Sequence, residues 1–306
     1  MIGSQNPPLR SHRRPIKTWL KRIVVGFLVL NVAGILATCF WPDRFILFPS
    51  TRPIAVSGAE RVAIGGPAGT LEAWTKRTSA TKGEEPESFV LAFNGNGSRA
   101  EGELARLEPM WAGHSVEIWA VNFPGYGGSH GPALVKNIPP AALAAYDALA
   151  QKAHGRPIFV SGHSIGTTAA LYVGANRPVA GLVLHNPPPL RQLIHGRFGW
   201  FNLWIASSRV VAAVPDQLDS IANGGRCSAP AVFILADGDT LVLPKYQQKV
   251  VEAYHGPKRI VHAATYGHNT PVVDPEVTEV RTAINWLWQQ DRPLAAVTEP
   301  ETRNPK

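Results

Sequence analysis

The feature that limits this chain most is a short apolar run that breaks on a turn built of glycine, serine and glycine. Residues 157–162 read PIFVSG, and the chain passes at once into Gly162-His163-Ser164-Ile165-Gly166. Small and apolar residues continue to Asn176. An apolar run of this length ended by glycine reads as a buried strand, and the longer stretch behind it as a helix. A serine on so tight a strand-to-helix turn needs small residues two before and two after it. Gly162 and Gly166 meet that requirement. The helix behind the serine aims free N–H groups and its dipole at any negative charge that develops there. Turn, residue type and helix together mark Ser164 as a candidate nucleophile.

The rest of the chain alternates in the same way. Strands are predicted at residues 60–64, 70–77, 89–93, 116–123, 179–185, 231–236 and 259–263, and helices at 100–112, 139–152, 167–176, 245–254 and 275–290. Such alternation predicts a mostly parallel sheet with helices on both faces. It breaks between residues 186 and 228, where Pro187-Pro188-Pro189 leads into a segment carrying Phe198, Trp200, Phe201 and Trp204. This segment is predicted to be a cap above the strand ends. Trp200 and Trp204, four apart, are expected to share a helical face and to line an apolar substrate pocket.

A serine nucleophile needs a base, and the base needs an orienting carboxylate. The loop after residues 231–236 offers Asp237 and Asp239. Asp239, three residues before Val242 and close to Pro244 and a helix, is favoured; Asp237 suits the shaping of the turn through its own backbone. After residues 259–263 comes Tyr266-Gly267-His268-Asn269, which makes His268 the candidate base. His163 adjoins the serine but is turned away from it by the geometry of the turn, and His262 lies inside a strand. An oxyanion hole takes two backbone N–H groups. The candidates are Ile165, directly after the serine, and Asn96 in Asn94-Gly95-Asn96-Gly97-Ser98.

The N-terminal part reads differently. Residues 23–41, IVVGFLVLNVAGILATCFW, carry no charge. At about 1.5 Å per residue a helix of this length approaches the thickness of a bilayer's hydrocarbon core. Arg10, Arg13, Arg14, Lys17, Lys21 and Arg22 precede it with no acid among them, and Asp43 follows it. A single span is therefore predicted, with residues 1–22 cytoplasmic and the remainder on the non-cytoplasmic side. A cleaved signal peptide is the alternative, with export of the remainder. Leu36-Ala37-Thr38-Cys39 is only loosely a lipid-attachment site, and a buried core helix is disfavoured by length. Those six basic residues account for most of the net charge of +8, leaving +2 elsewhere. The charge is a membrane flank, and nucleic acid is not an expected partner. Two cysteines, Cys39 and Cys227, make no disulfide framework. No metal-ligand spacing or phosphate-cradling loop is present, so no metal or cofactor is expected.

Five segments carry a resemblance: FNGNG at 93–97, NFPGYGGSHG at 122–131, GHSIG at 162–166, DTLVLP at 239–244 and GHN at 267–269. With them, residues 45–290 resemble the α/β-hydrolase superfamily, most closely its small single-span members. The family's order of serine, acid and histidine matches Ser164, Asp239 and His268. Its oxyanion loop usually begins His-Gly; this one begins Asn94-Gly95. The resemblance implies an α/β-hydrolase fold with a short cap at about 186–228 behind an N-terminal transmembrane helix; the tail at 291–306, polar and proline-containing, is expected to be disordered. It implies a serine hydrolase that cleaves an ester or thioester through an acyl-enzyme. The aromatic cap and the anchor favour an acyl or lipid-like small molecule. A peptidase of the same fold is the alternative, and a non-catalytic hydrolase-like binding protein a further one.

Overall fold

The computed structural model describes residues 16–200, 204–264, 266–270 and 274–291. Helix α1 (Ile16–Phe40) leads to a short 3-10 turn at Pro42–Phe45. Then come β1 (Glu60–Gly66), β2 (Gly69–Arg77), β3 (Ser88–Phe93), α2 (Ala100–Trp111) and β4 (Val116–Val121). The chain continues through α3 (Ile138–Ala153), β5 (Ile158–His163), α4 (Ile165–Asn176), β6 (Gly181–His185), α5 (Leu190–Phe198), α6 (Ile205–Ala213) and α7 (Ser220–Arg226). It closes with β7 (Ala231–Ala236), α8 (Pro244–Ala253), β8 (Lys258–Ala263) and α9 (Glu276–Asp291).

The eight strands form one sheet in the order β1-β2-β4-β3-β5-β6-β7-β8. The pairings of β2 with β1 and with β4 are antiparallel; all pairs from β4 to β8 are parallel. Strands β3, β4, β6 and β7 are buried along their whole length. That is why their sequences are near-continuous apolar runs: a central parallel strand has no solvent face. One apolar cluster fills each side of the sheet. Phe89, Leu91 and Phe93 contribute to one, and Val90 and Ala92 of the same strand to the other, as a period of two requires.

The strands and helices expected from the alternation are all present, but two other segments differ. Among the described residues helix α1 covers Ile16–Phe40, so it includes Lys21 and Arg22, good helix formers, ahead of the uncharged run from residue 23. It is long and apolar enough to cross a membrane from Thr18 to Phe40, and only 6% of its most apolar window is buried, whereas a core helix is mostly buried. The connector after α1 begins as the turn at Pro42–Phe45, and Ile46 and Leu47 are buried in the core. Within the segment expected to be cap, α7 packs against α4 and α8 and so belongs to the body. The cap is the shorter α5–α6 pair.

The loop at 122–131 is pinned by one buried carboxylate. Glu72 accepts from the Gly128 N–H at 2.6 Å and the Asn122 amide at 2.8 Å, and pairs with Arg61 at 2.7 Å. Burial alone would raise this carboxyl. The Gly128 and Asn122 bonds, with the charges of Arg61 and Arg99, outweigh it and hold the group below its ordinary value.

Candidate active site

Ser164 ends the β5 turn with φ 52° and ψ −123°, a conformation that a residue other than glycine adopts only where its surroundings enforce it. Two glycines let the turn close. A Cβ on Gly162 would lie 2.5 Å from the Gly166 carbonyl oxygen. A Cβ on Gly166 would collide with the Phe93 carbonyl and come within 2.8 Å of the Asn94 oxygen. The start of α4 is thereby pressed onto the loop that follows β3.

His268 and Asp239 arrive from the loops after β8 and β7. His268 Nε2 is 2.9 Å from Ser164 Oγ, and its Nδ1 is 2.6 Å from Asp239 Oδ2. Asp239 is buried, and its other oxygen accepts the Leu241 and Val242 N–H groups, each at 2.8 Å. The carboxylate is acceptor-only, so Nδ1 donates to it. That leaves Nε2 as the acceptor for the serine hydroxyl. Asp237 lies elsewhere: its carboxylate meets His262 Nδ1 at 3.0 Å, and both side chains are solvent-exposed. The expected role for Asp237, shaping the turn through its own backbone, is replaced by this surface pair.

Ile165 and Asn96 both border the space beside Ser164. Among the described residues, neither backbone N–H has a protein acceptor. The Asn96 side chain is otherwise engaged. Its oxygen accepts from the Phe48 N–H at 2.8 Å and the Tyr126 hydroxyl at 2.7 Å, and its amide donates to the Ile46 carbonyl at 2.5 Å. One asparagine thus ties the connector and the 122–131 loop to the loop after β3. Asn94, standing where the family usually has histidine, braces that loop internally through the Gly95 and Ser98 carbonyls at 3.1 and 3.2 Å.

Several residues that the sequence did not single out support His268. Its carbonyl accepts from the Asn186 amide and from His163 Nε2, each at 3.2 Å. The Asn186 oxygen in turn accepts the Ala236 N–H at 2.9 Å, which links the ends of three strands. Gln247 of α8 is buried and reaches Asp239 Oδ2 at 3.3 Å and the Val242 carbonyl at 2.7 Å. His163 was expected to be turned away from Ser164. It makes no bond to the serine, but its ring stacks on His268 at 5.4 Å and lies 4.9 Å from the His185 ring. Arg106 pairs with Glu103 and donates to His185 Nδ1 at 3.1 Å. Burial, reinforced by Arg106 and His268, pulls His163 down to about 3. Burial and then His163 hold His185 well below its usual value. Both rings are therefore neutral at physiological pH. A sequence reader had one signal for this cluster, the histidine beside the nucleophile, and none for Asn186 or Gln247, whose roles come from distant contacts.

Two cavities meet at Ser164 and His268. One of about 600 Å³ is of mixed lining, the more polar of the two, and is bordered among others by Glu103, Arg106, His163, His185, Asn269 and Thr270. The other, of about 510 Å³, is mostly apolar and runs beneath the cap past Leu193, Phe198, Val210 and Val242. Trp200 and Trp204 were expected in this lining and are not part of it. They do not share a helical face: α5 ends at Phe198, and Trp204 stands before α6 in a left-handed conformation with φ 63°. Phe198 of the cap, with Phe45 and Phe48, supplies the aromatic lining instead. Phe201 lies outside the described residues. Among the described residues no group of three or more His, Cys, Asp or Glu side chains is placed to hold a metal.

Fold, serine turn and neighbouring histidine define an α/β-hydrolase. The sequence model of the alpha/beta hydrolase family matches residues 89–303, well over half the chain, and the chain belongs to that family. An uncharacterized protein of Mycobacterium tuberculosis, found in two strains, is 27% identical over 275 residues, covering 86% of this chain and 92% of its own. Among solved structures, an esterase of Pyrococcus furiosus superposes with a TM-score of 0.61 at 15% identity, covering 80% of this chain and 97% of that one. Est1E from Butyrivibrio proteoclasticus gives 0.60 at 13% identity, covering 75% and 98%. A Xanthomonas campestris protein described as a serine hydrolase without lid gives 0.54 at 14%, covering 78% and 97%. At these identities the structural likeness is one of fold.

Proposed function

We propose that this hydrolase is a serine esterase that cleaves an acyl ester or thioester through an acyl-enzyme. The observation that carries the reading is the chain of two short contacts from Asp239 through His268 to Ser164. In this mechanism His268 Nε2 takes the Ser164 proton as Oγ attacks the carbonyl carbon. The Ile165 and Asn96 N–H groups hold the oxyanion, each worth about 10²- to 10³-fold in rate. The imidazolium then protonates the leaving oxygen or sulfur. Water, deprotonated by the same nitrogen, releases the acid from Ser164. Asp239 keeps Nδ1 protonated and stabilises the imidazolium throughout.

The two cavities fit the two halves of such a substrate. The apolar one suits the acyl chain, since pockets for such groups are mostly apolar with few polar contacts. The more polar one, with Arg106 and Glu103 at its edge, suits the leaving group. The esterase names borne by the Pyrococcus and Butyrivibrio relatives in fold are in keeping with this. The helix Thr18–Phe40 is read as a retained anchor, with the basic residues at its start in the cytoplasm and the domain beyond Asp43 on the other side. The chain then divides into a basic flank, an anchor, a hydrolase domain and a polar tail.

The test is pre-steady-state hydrolysis of p-nitrophenyl butyrate by the purified full-length protein. An acyl-enzyme route predicts a burst of nitrophenol equal to the enzyme concentration, followed by slower turnover. Folded protein that releases no nitrophenol contradicts the reading.

A further inference from the structure

The wall of the apolar cavity is not made by the hydrolase domain alone. Gly34 and Thr38 of α1 line it together with Phe45, Leu193, Phe198 and Val210. Helices α1 and α6 pack against each other. The less exposed positions in this part of α1 are Asn31, Gly34, Ile35, Ala37 and Thr38, while Val32, Leu36 and Phe40 are open. That spacing is a single helical face turned to the domain. Its polar members ask nothing of a neighbour. Asn31 donates to the Phe27 carbonyl at 2.9 Å and Thr38 to the Ile35 carbonyl at 2.7 Å. Glycine is unfavourable in the middle of a helix. At position 34 it leaves room: a Cβ built there meets no atom within 4 Å. The cavity therefore begins at the backbone of the helix.

This wall lies within the apolar stretch Thr18–Phe40, which on the anchor reading puts it at the depth of lipid tails near the C-terminal end of the span. Phe45, Phe48, Phe198, Ile205 and Leu241 continue the exposed apolar surface around it. We infer that the anchor helix is part of the acyl-binding site, with Gly34 and Thr38 bordering the long acyl chain of an ester held in the bilayer. The inference rests on the esterase reading and adds to it. The anchor sets which acyl lengths are accepted as well as where the enzyme resides. A lipid ester reaches Ser164 alongside the helix without its chain leaving apolar surroundings.

The experiment uses full-length protein in detergent and p-nitrophenyl esters from acetate to palmitate. Gly34→Phe places a ring in the cavity. Each methylene denied a place lowers kcat/KM by about fourfold. Palmitate is therefore expected to lose about tenfold or more, while acetate and butyrate stay within about twofold. Thr38→Trp gives the same selective loss and serves if the first variant does not accumulate. Leu36→Phe, on the open face, leaves the whole series unchanged. An unaltered length profile in the Gly34 and Thr38 variants, or equal loss at all lengths, overturns the inference. Absence of Ser164-dependent turnover in the unmutated protein overturns the esterase reading first, and this inference with it.

Discussion

Asp239→Asn lowers kcat by about 10⁴-fold without unfolding the protein. The size of the effect follows from how the carboxylate is held. Oδ1 accepts two backbone N–H groups, from Leu241 and Val242, so an asparagine keeps its oxygen there. Its amide is then turned toward His268 Nδ1, where Oδ2 stood at 2.6 Å. Two donors cannot face each other. The imidazole must shift its proton to Nε2, the nitrogen that has to accept the serine hydroxyl. Asp237→Asn loses only an exposed pair with His262, and exposed pairs contribute about 0–1 kcal/mol. Its kcat is expected to stay within about twofold. Steady-state rates of the two variants on one ester decide the matter, and a reversed pattern assigns the acid to Asp237.

Gly166→Ala is expected to destabilise the domain by about 3 kcal/mol or more, the range of severe steric substitutions. The added methyl meets backbone, not a movable side chain: the Phe93 carbonyl carbon would lie at 2.7 Å and the Asn94 oxygen at 2.8 Å. Either α4 moves off the sheet or the loop carrying Asn96 is pushed away from Ser164. In a domain of this size 1 kcal/mol shifts Tm by about 2–4 °C, so a fall of about 6–12 °C is expected. Activity falls further than the loss of folded protein accounts for, because the Ile165 and Asn96 N–H groups no longer converge. Thermal unfolding by circular dichroism, with activity per folded molecule, checks both parts. A Tm within about 2 °C of the parent contradicts the packing argument.

The central strands and the members of the Ser164–His268–Asp239 chain were legible because each is written locally. A buried parallel strand must be a continuous apolar run, as in residues 89–93 and 231–236, and each site residue stands in a short loop directly after one. The spacing Gly162-x-Ser164-x-Gly166 is local too, since the glycines answer contacts made by the turn itself. What the sequence hid depends on contacts between distant segments. Asn186 and His163 are chosen by the position of the His268 carbonyl, 82 and 105 residues away. The Asn96 side chain is chosen by Ile46, Phe48 and Tyr126. The cap misled for the same reason. A four-residue spacing places Trp200 and Trp204 on one face only if one helix contains both, and α5 ends at Phe198 while α6 starts at Ile205. Gly34 and Thr38 carry no local signal either, since their place is set by the packing of α6 on α1.

The most direct test of the account is labelling of the full-length protein with a fluorophosphonate, followed by mass spectrometry of the modified peptide. The account predicts one adduct per molecule on Ser164, none in Ser164→Ala, and slow labelling in His268→Gln. An adduct on another residue, or labelling that survives in Ser164→Ala, contradicts it.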